Sequence, residues 1–248
     1  GAAVDQHEHG GAERRRRLDQ LDRFVERLAL LEHRARELGD RWGEANALGK
    51  LGVICDCVGD YAGARQNFEA CLEIACSIGD RSGEGEALAN LSLLCHHLGE
   101  DQAAREYCQR ALGIAQELGA REYEASAVIH LGHALAGLGQ LAEAADAYQQ
   151  SLALRRDLGQ SHMATEPLAG LARVCLIQEN LVEAQALVEE ILGILESHTL
   201  DGTEEPMRVY LICYRVLMAI QDPRARELLN TAHRLVQERA AKIDNQEI

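Results

Sequence analysis

Seven glycines set the frame for this chain: Gly39, Gly59, Gly79, Gly99, Gly119, Gly139 and Gly159 stand twenty residues apart. Each follows an apolar residue, Leu38, Val58, Ile78, Leu98, Leu118, Leu138 or Leu158, and the first three precede Asp40, Asp60 and Asp80. Glycine enters the left-handed conformation that ends a helix without a Cβ penalty. An aspartate just beyond it accepts from the free N–H groups that open the next helix. The spacing therefore predicts one helix and one tight turn per twenty residues, each helix about 16 residues or roughly 24 Å long. Only three prolines interrupt 248 residues, which suits helix throughout.

Two such units make a hairpin of forty residues, and hairpins laid beneath one another from Arg41, Arg81, Arg121 and Ser161 fall into columns. The first helices share Leu51, Leu91, Leu131 and Leu171, followed by the small set Gly52, Ser92, Gly132 and Ala172. Four residues after each Leu come Cys55, Cys95, Leu135 and Cys175. The second helices share Ala64, Ala104, Ala144 and Ala184, then Phe68, Cys108, Tyr148 and Val188, then Cys71, Ala111, Ser151 and Ile191. Small residues let helices approach and large ones fill the grooves between them. One hairpin cannot bury its apolar face alone, so the hairpins must stack.

The expected organisation is an all-α solenoid of stacked antiparallel hairpins. Residues 1–20 form an extension, 21–40 a half repeat, and 41–80, 81–120, 121–160 and 161–200 full repeats. Residues 201–240 make a divergent capping hairpin and 241–248 a tail. Divergence shows in Glu179 at a glycine position and in Pro206 and Pro223 near helix starts, where proline is tolerated. Ala225, Leu229 and Ala232 fit the second-helix columns only after a shift of one residue. The opening Gly1 and the half repeat suggest a piece of a longer protein.

These columns resemble the tetratricopeptide repeat signature over about residues 21–240. The period of forty is similar to that of spindle-orientation adaptors, kinesin light chains, and the C-terminal arrays of bacterial signal-transduction ATPases and LuxR- or MalT-type regulators. The stretch from Glu166 to Arg173 resembles the bacterial arrays most. The resemblance implies a right-handed superhelix whose first helices line a concave groove for peptides, helices or partner domains. In that geometry the groove carries Asn46, Lys50, Val53, Glu86, Asn90, Leu93, His97, His130, His133 and Arg173. Residues three or four apart share a helix face, so Lys50 aligns with Val53 and His130 with His133. Adaptor-type repeats often carry Asn in the column of Lys50, Asn90 and His130, where the amide can hold a partner's backbone; Asn90 matches and the others depart. Lys50, Asn90 and Arg173 have the chemistry of a carboxylate clamp without its full pattern, so no chaperone tail is expected. The plain alternative for the polar residues is a solvated face, and for Leu93, Ile129 and Leu176 the core between hairpins.

Function is thus expected to be protein or peptide binding, as a scaffold or sensor segment of a larger bacterial regulator. A small-ligand or signalling-peptide receptor and a homo-oligomeric scaffold are the other readings. Net charge of -15 repels phosphate backbones and anionic membranes. Eight cysteines lie mostly inside apolar helical stripes, which reads as a reducing, cytoplasmic setting rather than a disulfide framework. Cys55, Cys57, Cys95, His96, His97, His130 and His133 tempt as metal ligands. Yet Leu135 stands in the column of Cys55 and Cys95, so packing explains the thiols better and neither metal nor cofactor is expected. No nucleophile elbow or phosphate loop is present, and the chain is not read as an enzyme. Glu44, Glu84, Glu124 and Glu204 sit in first turns, where the helix dipole accounts for them.

Overall fold

The computed structural model describes residues 23–197, 203 and 205–245. The extension over residues 1–20 and Glu204 lie outside the described residues. Among the described residues there is no strand. A helix over residues 23–38 (α1) is followed by α2 (Arg41–Cys57), α3 (Tyr61–Ile78), α4 (Arg81–His97), α5 (Asp101–Leu118), α6 (Arg121–Gly137) and α7 (Leu141–Asp157). After a 3-10 turn (Ser161–Ala164) come α8 (Thr165–Ile177), α9 (Leu181–Ser197), α10 (Pro206–Ala219) and α11 (Arg224–Asn245). The last helix runs five residues into the stretch read as a tail.

Sequence neighbours pair as hairpins, α2 with α3 through α10 with α11, and α3, α5 and α7 also pack on the next first helix. The first helices α2, α4, α6, α8 and α10 touch in succession and form the inner wall of the solenoid. The chain is an all-α solenoid of stacked hairpins.

The turns follow the glycine logic. All seven period glycines have positive φ, from Gly119 at 63° to Gly59 at 82°. Where glycine fails, the backbone shape persists: Glu179 and Gln221 adopt φ of 60° and 58°. Aspartate caps the helices that follow the first three turns, where Asp40, Asp60 and Asp80 accept from Gly43, Gly63 and Gly83 at 2.9, 3.0 and 3.0 Å. Glu100, Ala120 and Gln140 open their helices without a side-chain cap.

The columns explain the packing. Ala64, Ala104, Ala144 and Ala184 are all fully buried. Small and large residues are matched within hairpins: a Cβ on Gly52 would lie 2.5 Å from the Phe68 ring, and one on Gly132 2.6 Å from the Tyr148 ring. Where the second helix carries the smaller Cys108, the first carries Ser92, 2.8 Å away. Tyr148 is the tightest case, because a Cβ on Gly170 of the next hairpin would also stand 2.6 Å from its ring.

Three expectations need correction. The fourth hairpin opens on the 3-10 turn, and its α-helix is 13 residues long. Pro167 falls in the first turn of that α-helix, where its missing N–H costs nothing. In the last hairpin Ala225 is buried, but Leu229 is 48 % exposed and Leu228 takes the core position. The late turn at Gln221 and Pro223 before α11 rotate that helix, so no single shift restores the columns. Finally, Glu44 does more than offset a dipole. It is buried and accepts from Arg36 at 2.9 Å and Arg41 at 2.6 Å, tying α1 to α2 across their turn.

Candidate functional site

The inner wall divides into two unlike halves. The first lies on α2 and α4. There Asn46, Lys50, Val53, Glu86 and Asn90 line one open cleft of about 410 Å³, together with Phe24, Trp42 and Ser82. These are five of the ten groove residues read from the sequence. Trp42 is 60 % exposed, Phe24 49 % and Val53 45 %, a concentration of apolar surface on a concave wall. Among the described residues the side chains of Asn46, Lys50 and Asn90 make no hydrogen bond or ion pair, and so present unspent donors and acceptors beside that surface. Leu93 is half-buried outside the cleft.

The second half, on α4, α6 and α8, is closed by the start of α10. Arg208 Nη2 stands 3.1 Å from His96 Nε2, across 112 positions of sequence. Glu205 lies 3.4 Å from His97 Nε2 and 3.9 Å from His133 Nε2, and pairs with Arg208. The Glu205 backbone N–H donates to Glu166 at 2.8 Å. His96 bonds Asp101 at 2.7 Å and stacks on His133 with ring centroids 5.7 Å apart. His133 Nδ1 in turn shares a 2.8 Å hydrogen bond with the Tyr148 hydroxyl.

The charges of this latch follow from its surroundings. Burial pushes the Glu205 carboxyl up, but the bond to His97, with the charge and hydrogen bond of Arg208, outweighs it and holds the group well below the usual carboxylate range. His97 is raised by Glu205. His96 is lowered by burial, against the pull of Asp101. His133 is lowered strongly by burial and then by Arg208. Burial lifts the Tyr148 hydroxyl to about 12. At neutral pH the latch is therefore a carboxylate–guanidinium pair seated on neutral His96 and His133.

His97, His130, His133 and Arg173 were expected on an open groove. His130 and His133 are instead 6 % exposed, and His97 and His133 are engaged by Glu205. Arg173 is half-buried beside Tyr148, Glu166 and Arg208, and its Nη1 meets no acceptor among the described residues. Among the described residues no three His, Cys, Asp or Glu groups are arranged to hold a metal ion. Among the described residues no disulfide joins two cysteines, and burial lifts Cys71 and Cys95 to about 11.

Sequence reasoning missed Phe24, Trp42 and Tyr148 as wall residues. The single tryptophan, placed in the first turn of an inner helix, was the available signal for Trp42. Tyr148 was read as core, which its ring is, while its hydroxyl reaches through the floor of the groove. Glu205 carried no signal, since its role depends on curvature summed over several hairpins.

A helical-hairpin solenoid with an inner groove, half open and half latched, is thus the class that fold and site define. Residues 83–157 match the family model described as tetratricopeptide repeat. The matched stretch is thus similar to tetratricopeptide repeats, here with a period of forty residues. No curated protein matches its sequence. Among solved structures, the apo form of RapI superposes with a TM-score of 0.73 at 16% identity, over 93% of this chain and 81% of that one. BtubC from P. vanneervenii gives 0.69 at 18% identity, over 92% and 94%. The Rap conjugation gene regulator of plasmid pLS20, in complex with the Phr* peptide, gives 0.70 at 14% identity, over 85% of this chain and 59% of that one. At such identities the likeness is one of fold. Among the described residues no helix is long and apolar enough to cross a membrane.

Proposed function

We propose that this chain is a peptide- or protein-binding scaffold that takes a segment of its partner into the open half of the groove, as the sensor part of a larger bacterial regulator in the cytoplasm. The observation that carries this reading is the cleft on α2 and α4. It sets exposed Trp42, Phe24 and Val53 beside the unspent amides of Asn46 and Asn90 and the ammonium of Lys50. Aromatic anchors with a few polar groups around them are what a bound segment needs for affinity and register. The peptide held by the pLS20 regulator on a similar fold supports the same use here. The latch supports a division of labour: it fills the second half with the chain's own Glu205 and Arg208 and leaves the first half for a guest.

The test is selection of binders from a displayed peptide library on the full chain, followed by affinity measurements on Lys50→Glu and Asn90→Ala. The expected result is a tenfold or larger loss for each, about 1.4 kcal/mol or more. Selected peptides that bind both variants as well as the parent chain would overturn the reading.

A further inference from the structure

A pocket between hairpins two and three is the counterpart of a site that the chain fills with its own arginine one repeat later. Arg155 of α7 is 6 % exposed and lies between hairpins three and four. Its guanidinium donates to Gln160 Oε1 and Ser126 Oγ, each at 2.7 Å, and stands 3.6 Å from Met163 Sδ. Forty residues earlier the positions of Arg155, Gln160, Ser126 and Met163 hold Ala115, Ala120, Glu86 and Tyr123. All of these line one cavity of about 70 Å³. That is several times the roughly 10–15 Å³ that holds a single water. The arginine column becomes alanine, and the space that a side chain takes in hairpin three stands open in hairpin two.

The pocket keeps the chemistry of its filled counterpart. Its inner walls are Gly85, Ala111 and Ile114, apolar surface that suits a methylene stem. Gly85 is the one glycine of the column Ala45, Gly85, Ala125 and Thr165, and a Cβ there would stand 3.1 Å from Ile114 Cγ2, so its absence widens the wall. At the mouth is Glu86, whose carboxylate makes no hydrogen bond or ion pair among the described residues. Beside it is Tyr123, which is 60 % exposed. A carboxylate and an aromatic face are the groups that receive a guanidinium best. Ser82 and Glu86 also line the peptide cleft, so the two spaces adjoin. A net charge of -15 favours the approach of a cation over that of an anion.

We propose that this pocket receives an arginine side chain of the guest segment, and so selects guests with a basic residue next to the stretch held at Trp42 and Asn90. Glu86 takes the place of Ser126 as acceptor, with a full charge where the counterpart has a hydroxyl. Tyr123 takes the place of Met163 as the surface beside the guanidinium. The stem lies along Gly85 and Ile114. The proposal rests on the segment-binding reading for how the side chain is delivered; the pocket itself is tested without a peptide.

The experiment titrates the isotope-labelled full chain with N-acetyl-arginine amide and follows backbone amide shifts. Saturable shifts at Ser82, Glu86 and Tyr123 are expected, with a midpoint on the order of 10 mM. The neutral isostere N-acetyl-citrulline amide should give none. Glu86→Gln should weaken the probe about fivefold, as loss of a partly exposed ion pair does. Ala115→Arg, which supplies the counterpart of Arg155 from within, should abolish the shifts while the chain keeps its cooperative thermal unfolding. No arginine-dependent shift at these amides, equal shifts from citrulline, or shifts from N-acetyl-leucine amide alone would overturn the pocket. Peptides selected on the parent chain should carry an arginine at one fixed position, and replacing it with citrulline should weaken them about tenfold. Selected peptides that bind tightly without that arginine would overturn the selection. Probe binding with no selected peptide would support the pocket and remove the segment-binding reading; selected peptides with a silent probe would do the reverse.

Discussion

The two halves of the inner wall are built from the same hairpin and finish differently. On α2 and α4 the wall is open, with exposed aromatics and unspent amides. On α4, α6 and α8 it is buried under Glu205 and Arg208, with His96, His97 and His133 beneath them. The repeat sets where wall residues stand, but curvature decides which of them meet solvent. A residue in a given column can line an open cleft at one end and be packed away at the other: Asn90 faces the cleft, and His130 in the same column is buried.

The largest expected effect tests the floor of the latched half. Gly132→Val places a side chain into the Tyr148 ring, and overpacking of this kind costs about 3 kcal/mol. Thermal unfolding should register a drop of several degrees, with little change if Tyr148 is first replaced by Leu.

Removing the latch comes next. Glu205→Ala leaves Arg208 half-buried without its carboxylate and should cost on the order of 2 kcal/mol. Hydrogen exchange should speed up in α10 and α11 and stay unchanged in α2 and α3. Equal acceleration in both halves would erase the distinction.

Acidity should act on the same region. His96 and His133 have folded values below the ordinary 6.5, so their contribution is full above that value and is lost as pH falls below it. Glu205 behaves alike at lower pH, because its folded value lies below the ordinary 4.5. His97, raised by Glu205, works the other way: its contribution is full below 6.5 and is lost as pH rises through its higher folded value. Two lowered histidines, one of them strongly, outweigh one raised. Exchange in α10 should therefore quicken between pH 7.5 and pH 5.5. Slower exchange at the lower pH would mean that the His97–Glu205 pair dominates.

The smallest effects concern one turn and one helical glycine. Glu179→Gly relieves a left-handed, non-glycine residue and should stabilise the chain by about 1 kcal/mol. Gly113→Ala, in a helix with open space around the new Cβ, should gain about 0.5–1 kcal/mol.

Much of this fold was legible in the sequence. A glycine every twenty residues marks turns because only left-handed backbone closes them this way, and alanine columns mark helix contacts because nothing larger fits. The cleft was legible for Asn46, Lys50, Val53, Glu86 and Asn90, because their column position alone puts them on the wall. The latch was not. His96 and Arg208 meet through rotations accumulated over hairpins two to five, and a column alignment contains no angle between hairpins. The exact register of α11 was illegible for a local reason: Gln221 carries the turn that glycine carries elsewhere, so the marker was missing.

The central claim is that a guest segment occupies the first half of the groove and leaves the latch in place. Hydrogen exchange of the full chain, with and without a selected peptide, tests it most directly. Added protection should appear over residues 41–57 and 81–97, with none over residues 206–237. Protection centred on α10, or spread over the outer helices α3 and α5 with none on α2, would contradict it.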